Sequence, residues 1–287
     1  MTARPGGRAE PYRGRAVLVR GLWRHPMLRS AVALAFLGLA CPSSPAMAET
    51  EVDVALVLAV DISYSMDEDE QVLQRQGFIA AFRSPLVHEA IKRGMLGRIA
   101  VTYAEWAGTW DQRVVVPWTV IDGREAAAAF ADRLVEEPTR RATRTSISGA
   151  IDMGVRLLEE SGIQAGRRVI DISGDGPNNQ GRPVTEARDG AVARGVTING
   201  LPIMLKQPGF LDIADLDAYF RACVIGGSGA FVVPARDKDQ FPDAIKTKIM
   251  LEVSGLTPPE PLIRHANAAP PPDCRAGETQ WRGSSGN

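Results

Sequence analysis

Cysteine is scarce: three in 287 residues, too few for a disulfide-built scaffold or a four-cysteine zinc site. Histidine is as rare, also three, and neither His88 nor His265 sits in a zinc-protease motif. An excess of one charge is missing too. The 33 Lys and Arg residues face 34 Asp and Glu, a net of -1, whereas a dedicated nucleic-acid binder usually carries a basic excess. No Gly-Lys-Ser or Gly-Lys-Thr phosphate loop occurs, no Gly-x-Ser-x-Gly elbow, and no internal repeat. The hydrophobic share of 45% and charged share of 23% are ordinary for a globular chain and exclude wholesale disorder.

What is present is unevenly spread. Seven arginines (Arg4, Arg8, Arg13, Arg15, Arg20, Arg24 and Arg29) precede the apolar run 31–40, with Glu10 the lone acid, and Ala46-Met47-Ala48 follows. A basic segment, a short apolar segment and an Ala-x-Ala site predict a signal peptide over 1–48, cleaved after Ala48, and hence export to the periplasm or the extracellular space. The apolar run is about half the roughly 20 residues that cross a bilayer. A lipoprotein reading through Cys41 is disfavoured by Gly38, where an aliphatic residue is usual. Removing seven basic groups and one acid leaves 26 against 33, a mature charge of -7. Two cysteines remain, Cys223 and Cys274, either as one disulfide pinning the tail or as two thiols.

The stretch Val52–Val60 is nearly continuous apolar, the pattern of a strand buried on both faces. Similar runs lie at Arg98–Ala104, Arg167–Ser173, Val196–Ile203 and Ala230–Pro234, with Val114–Val116 and Trp118 as an antiparallel edge. Helical periodicity falls at Glu68–Arg83, Arg124–Glu136, Ser146–Glu160, Pro183–Arg194, Leu211–Ala222 and Lys238–Val253. The alternation predicts an α/β domain over 49–254: an open, mostly parallel, doubly wound sheet with helices on both faces. Residues 255–287, rich in Pro, Gly and Ser, read as an extended tail.

In such a sheet ligands bind beyond the carboxyl ends of the strands. The first strand ends in Asp61-Ile-Ser63-Tyr-Ser65, a later one in Gly174-Asp175-Gly176, and Thr143-Arg-Thr145 opens a helix between them. Two carboxylates with hydroxyls suit Mg²⁺ better than zinc. These motifs resemble the von Willebrand factor type A domain and its metal-ion-dependent adhesion site. The pattern Asp-x-Ser-x-Ser falls on Asp61, Ser63 and Ser65, the family's threonine on Thr145, and its final aspartate on Asp175. The resemblance implies a Mg²⁺ site, with Mn²⁺ or Ca²⁺ as alternatives. Ser63, Ser65 and Thr145 would be hydroxyl ligands, and Asp61 and Asp175 would act directly or through water. The open position would take a carboxylate from a partner protein, giving an adhesion or complex-assembly role without catalysis. A metal-assisted hydrolase at the same site and a metal-free envelope scaffold are the alternatives. An EF-hand is excluded, because Met66 and Val72 stand where the loop needs Gly and Glu.

Glu105, Trp106 and Trp110 flank a Gly-containing turn after the second strand, and two tryptophans there make a candidate contact rim. They would equally serve as core. Asn178 and Asn179 follow Asp175 as further candidates for partner contact, or as turn residues. Asp67–Glu70 reads as acids at a helix N-terminus, with a second cation site as the alternative.

Overall fold

The computed structural model describes residues 50–207, 209, 213–256 and 272–284. The predicted signal peptide lies outside the described residues. Within them the α/β expectation holds. Strands β1 (Thr50–Asp61), β2 (Ile99–Trp106), β3 (Gln112–Ile121), β4 (Ile163–Gly174) and β5 (Val196–Pro202) form one sheet in the order β3-β2-β1-β4-β5. β1 runs parallel to β2 and β4, β4 parallel to β5, and β3 returns antiparallel along β2.

β1 has an unbroken apolar run because both of its faces are covered. Val54, Leu56, Leu58 and Val60 enter one core, and Ala55, Val57 and Ala59 the other. Each buried leucine contributes about 1.5–3 kcal/mol. Helices α1 (Glu68–Arg83), α2 (Pro85–Lys92), α3 (Arg124–Glu136) and α7 (Phe241–Ser254) supply the first core; α4 (Ile147–Glu160), α5 (Val184–Ala193) and α6 (Leu216–Tyr219) supply the second. α1 crosses α7 closely at Gly77, where a Cβ would come within 2.4 Å of Ile245.

Several expectations are corrected. α2 is an additional helix, starting with Pro85 in its first turn, where proline costs no hydrogen bond. Ala230–Pro234 forms no strand: Val232 makes an isolated bridge with Gly200, and Ala235 just beyond it one with Ile203; Pro234 between them lacks an N–H for a ladder. The helix expected from Leu211 to Ala222 is α6 followed by a π-turn, Phe220–Val224, with 211 and 212 outside the described residues. The tail is not wholly extended: Ala276–Ser284 forms α8. Among the described residues no helix is long and apolar enough to cross a membrane.

Between α7 and the sheet lies a buried ionic cluster. Lys248 Nζ stands 2.8 Å from Asp171 Oδ1 and 2.7 Å from Glu252 Oε1, and all three side chains are buried. Asn199 Nδ2 donates to Glu252 Oε2 at 2.7 Å, and the Phe231 N–H donates to Asn199 Oδ1 at 2.9 Å. Each buried charge thus faces an opposite one, although Asp171 Oδ2 has no hydrogen-bond partner among the described residues.

Candidate metal-binding and partner-binding site

The sheet register sets the site. Asp61 pairs with Trp106, and Val60 with Ser173, so β1, β2 and β4 end at one level. The chain turns to opposite sides of β1 to form β2 and β4, making this edge the topological switch point. Beyond it the Ser63 N–H donates to Asp61 Oδ1 at 2.7 Å. The Ser63 and Ser65 hydroxyls lie 2.8 Å apart, and Ser65 Oγ donates to Asp175 Oδ1 at 2.6 Å. A bridge from Ser63 to Ala142 ties this loop to the segment leading into α4.

Thr145 is brought to the same place by the segment leading into α4. Ser146 caps that helix, accepting from the Gly149 N–H at 3.2 Å. The Thr145 N–H donates to Asn179 Oδ1 at 2.9 Å, and the Asn179 N–H returns a bond to the Thr145 carbonyl at 2.8 Å. Ser63, Ser65 and Thr145 line one cleft of about 560 Å³. A smaller pocket of about 220 Å³ opens beside Ser65 and Asp175.

Asp61 is fully buried, and its Oδ2 has no hydrogen-bond partner among the described residues. Burial pushes its carboxyl well above the usual carboxylate range; the Asp175 charge pushes the same way, against hydrogen bonding from Ser63 and from the Asp175 backbone. Gly174 is required here, since a Cβ would come within 2.9 Å of Asp61 Oδ2. Among the described residues no three His, Cys, Asp or Glu side chains group to hold a metal; the donor set at this edge is two carboxylates and three hydroxyls. Such a set fits a hard, oxygen-preferring cation, and the orphaned Asp61 oxygen is the kind of group a cation satisfies.

Lys206, in the loop after β5, belongs to no motif. Its Nζ lies 2.5 Å from Glu70 Oε2 and 3.9 Å from Asp175 Oδ2, and it donates to the Ser65 carbonyl. Glu70 also accepts from the Asp67 N–H while Asp67 accepts from the Glu70 N–H, so these acids form a capping box.

The proposed contact residues separate. Trp106 is fully buried in the core that α4 covers, and so offers no rim. Glu105 is buried too, paired with Arg75 of α1. Asn178 is an interior connector: its Oδ1 accepts from the Ser148 N–H at 2.9 Å, and its Nδ2 donates to Glu278 at 2.8 Å. Trp110 is 92% exposed, and Asn179 is half-buried in the cleft lining. Cys223 and Cys274 are disulfide-bonded. That bond brings α8 to the site, where Trp281 lines the cleft and Arg144 stacks 3.9 Å over its ring. Neither residue was singled out from the sequence. The only available signal was a lone tryptophan in a Gly/Ser-rich tail.

A mostly parallel sheet wrapped on both faces, with hydroxyl-bearing loops at its switch point, places the fold in the von Willebrand factor type A, Rossmann-like class. The chain belongs to the family described as "Protein of unknown function (DUF1194)", which matches residues 51–257. No curated protein sequence matches it. Among solved structures it is similar to proximal thread matrix protein 1 from the mussel byssus, at 13% identity and TM-score 0.51, covering 71% of this chain and 49% of that one. It is similar also to the pilus adhesin SpaC from Lactobacillus rhamnosus GG, at 13% identity and TM-score 0.52, covering 70% and 30%. A von Willebrand factor type A protein from Catenulispora acidiphila aligns at 12% identity and TM-score 0.49, covering 70% and 43%. The chain thus spans about half the length of the matrix protein and under a third of SpaC.

Proposed function

We propose that this is an exported protein-interaction domain that binds Mg²⁺ at Asp61, Ser63, Ser65, Thr145 and Asp175 and receives an acidic side chain of a partner protein there. The observation that carries the reading is the meeting of three loops at one cleft, at the strand end where the buried Asp61 Oδ2 has no hydrogen-bond partner among the described residues. The cation would supply an anion-binding position in an acidic protein. The chain's own residues do the rest. Ser63, Ser65 and Thr145 offer neutral oxygens, which leave much of a dication's charge uncompensated and favour an external carboxylate. Asp61 and Asp175 supply the negative charge, and the Ser65 to Asp175 hydrogen bond holds the first and last loops together. The role assigned is binding without catalysis. The fold likeness to a pilus adhesin and a thread matrix protein supports protein contact as the use.

Calorimetric titration with Mg²⁺ tests the reading. Wild-type protein is expected to release or take up heat with one-site saturation, and Asp61→Ala to abolish it. A wild type silent toward Mg²⁺, Mn²⁺ and Ca²⁺ overturns the metal site.

A further inference from the structure

The family match ends at residue 257, yet a helix beyond it helps to build the cleft. Ser63, Ser65 and Thr145 line that cleft together with Tyr64, Arg144 and Trp281. α8 is fastened to the site in four ways. Cys274 is bonded to Cys223 in the π-turn after α6. Gly277 lies so close to the loop after Asp175 that a Cβ would come within 2.2 Å of the Asn178 carbonyl oxygen. Glu278 accepts from Asn178, whose other side-chain atom accepts from the first turn of α4. Trp281 takes the Arg144 guanidinium on its face.

Arg144 is the sole non-glycine residue with positive φ among those described, at 75°. A left-handed conformation is costly for an arginine and persists only where the surroundings hold it. Here it falls between Thr143 and the ligand candidate Thr145, at the point where the side chain meets Trp281. A second guanidinium, that of Arg141, stacks 4.9 Å from the Tyr64 ring centroid. The cleft therefore combines hydroxyl oxygens with two aromatic rings, each of which carries an arginine. That chemistry suits a peptide with a carboxylate and a flanking side chain that lies on an aromatic face. A volume of about 560 Å³ admits more than one side chain.

We infer that the cleft binds an acidic segment of a partner protein, its carboxylate at Ser63, Ser65 and Thr145 and the adjoining residue against Trp281 and Arg144, and that the Cys223–Cys274 bond keeps the Trp281 side in place. The inference rests on the metal reading above and adds to it a wall from outside the family match, with dependence on disulfide formation.

The test uses the full oxidised chain on an array of short immobilised peptides, each with one central Asp or Glu, in Mg²⁺ and in chelator. Retention of a subset of acidic peptides in Mg²⁺ is expected. Trp281→Ala should weaken it roughly tenfold or more, Trp281→Phe should restore most of it, and reduction of the disulfide should weaken it likewise. Thermal melting of each variant is measured in parallel. Should Trp281→Ala prove unstable, the phenylalanine variant and the reduced wild type decide. The inference is overturned if no acidic peptide is retained, or if Trp281→Ala and the reduced protein keep the same peptides at unchanged strength. Retention that ignores chelator but falls in Trp281→Ala rejects the metal reading and leaves the α8 wall standing.

Discussion

Ser65 Oγ donates to Asp175 Oδ1 at 2.6 Å across 110 residues of chain. The bond joins the turn after β1 to the turn after β4, and places a hydroxyl and a carboxylate at the switch point of the sheet. Ser65→Ala removes one candidate ligand and the bond that orients another. Mg²⁺ affinity is expected to fall roughly 10–100-fold, measured by calorimetry. An unchanged affinity would remove Ser65 from the ligand set.

Lys206 makes an opposite prediction. Its ammonium stands 3.9 Å from Asp175 Oδ2 and competes for the same negative charge. Lys206→Met is expected to tighten Mg²⁺ binding by roughly tenfold, allowing for screening of this part-exposed side chain. The metal-free protein should melt lower, because Glu70 is buried and loses its charge partner. If affinity does not rise, the lysine serves to pair Glu70 and to hold the Ser65 carbonyl.

The interior cluster is the largest single liability. Lys248→Met leaves Asp171 and Glu252 buried without their cation, a change expected to cost about 3–5 kcal/mol, read from denaturant unfolding. A loss under about 1 kcal/mol would mean that water reaches the pair.

Burial pushes the Asp171 carboxyl up to about 7, with the Lys248 charge pulling it down and Glu252 raising it further. A raised carboxylate pKa means that the folded chain holds the proton more tightly than the unfolded one. The contribution of this group is therefore fully present below the ordinary value of 3.8 and is lost as pH rises toward 7. Asp171→Asn should flatten that part of the stability-against-pH curve. An unaltered slope would assign the dependence to other groups.

The disulfide between Cys223 and Cys274 spans a separation of 51 residues. Closing a loop of that size is expected to stabilise the folded chain by about 4 kcal/mol on the chain-entropy view. Reduction should lower the melting temperature accordingly. A melting temperature unchanged by reductant would mean that the tail adds nothing to the domain.

Helices α1 and α3 were legible to the residue. In α1 an acidic cap precedes an apolar stripe, and Asp67 and Glu70 do form the box that such a start implies. α2, which follows α1 directly, was missed, although Pro85 fits a first helical turn without loss. α8 was missed because glycine, serine and proline dominate the composition around it; the pairing of Cys223 with Cys274 could be read as a tether, but a tether does not reveal the helix it holds. The choice between rim and core for Trp106, and the burial of Glu105, stayed undecided for a related reason. Their position at a strand end is local, but their burial depends on α4 and on Arg75, which approach from distant parts of the chain.

By itself the sequence determined the periodicity and the order of the loops. Apolar runs too continuous for a half-exposed strand required a sheet covered on both faces, and that sheet required its oxygen-bearing turns to gather at one edge. Only the tertiary structure decided which side chains look outward and which close on one another. Lys206 beside Asp175, Glu278 against Asn178 and Trp281 under Arg144 all come from segments with no motif. Local patterning is written by backbone period and side-chain polarity, whereas such contacts arise when packing brings remote segments within a few ångströms.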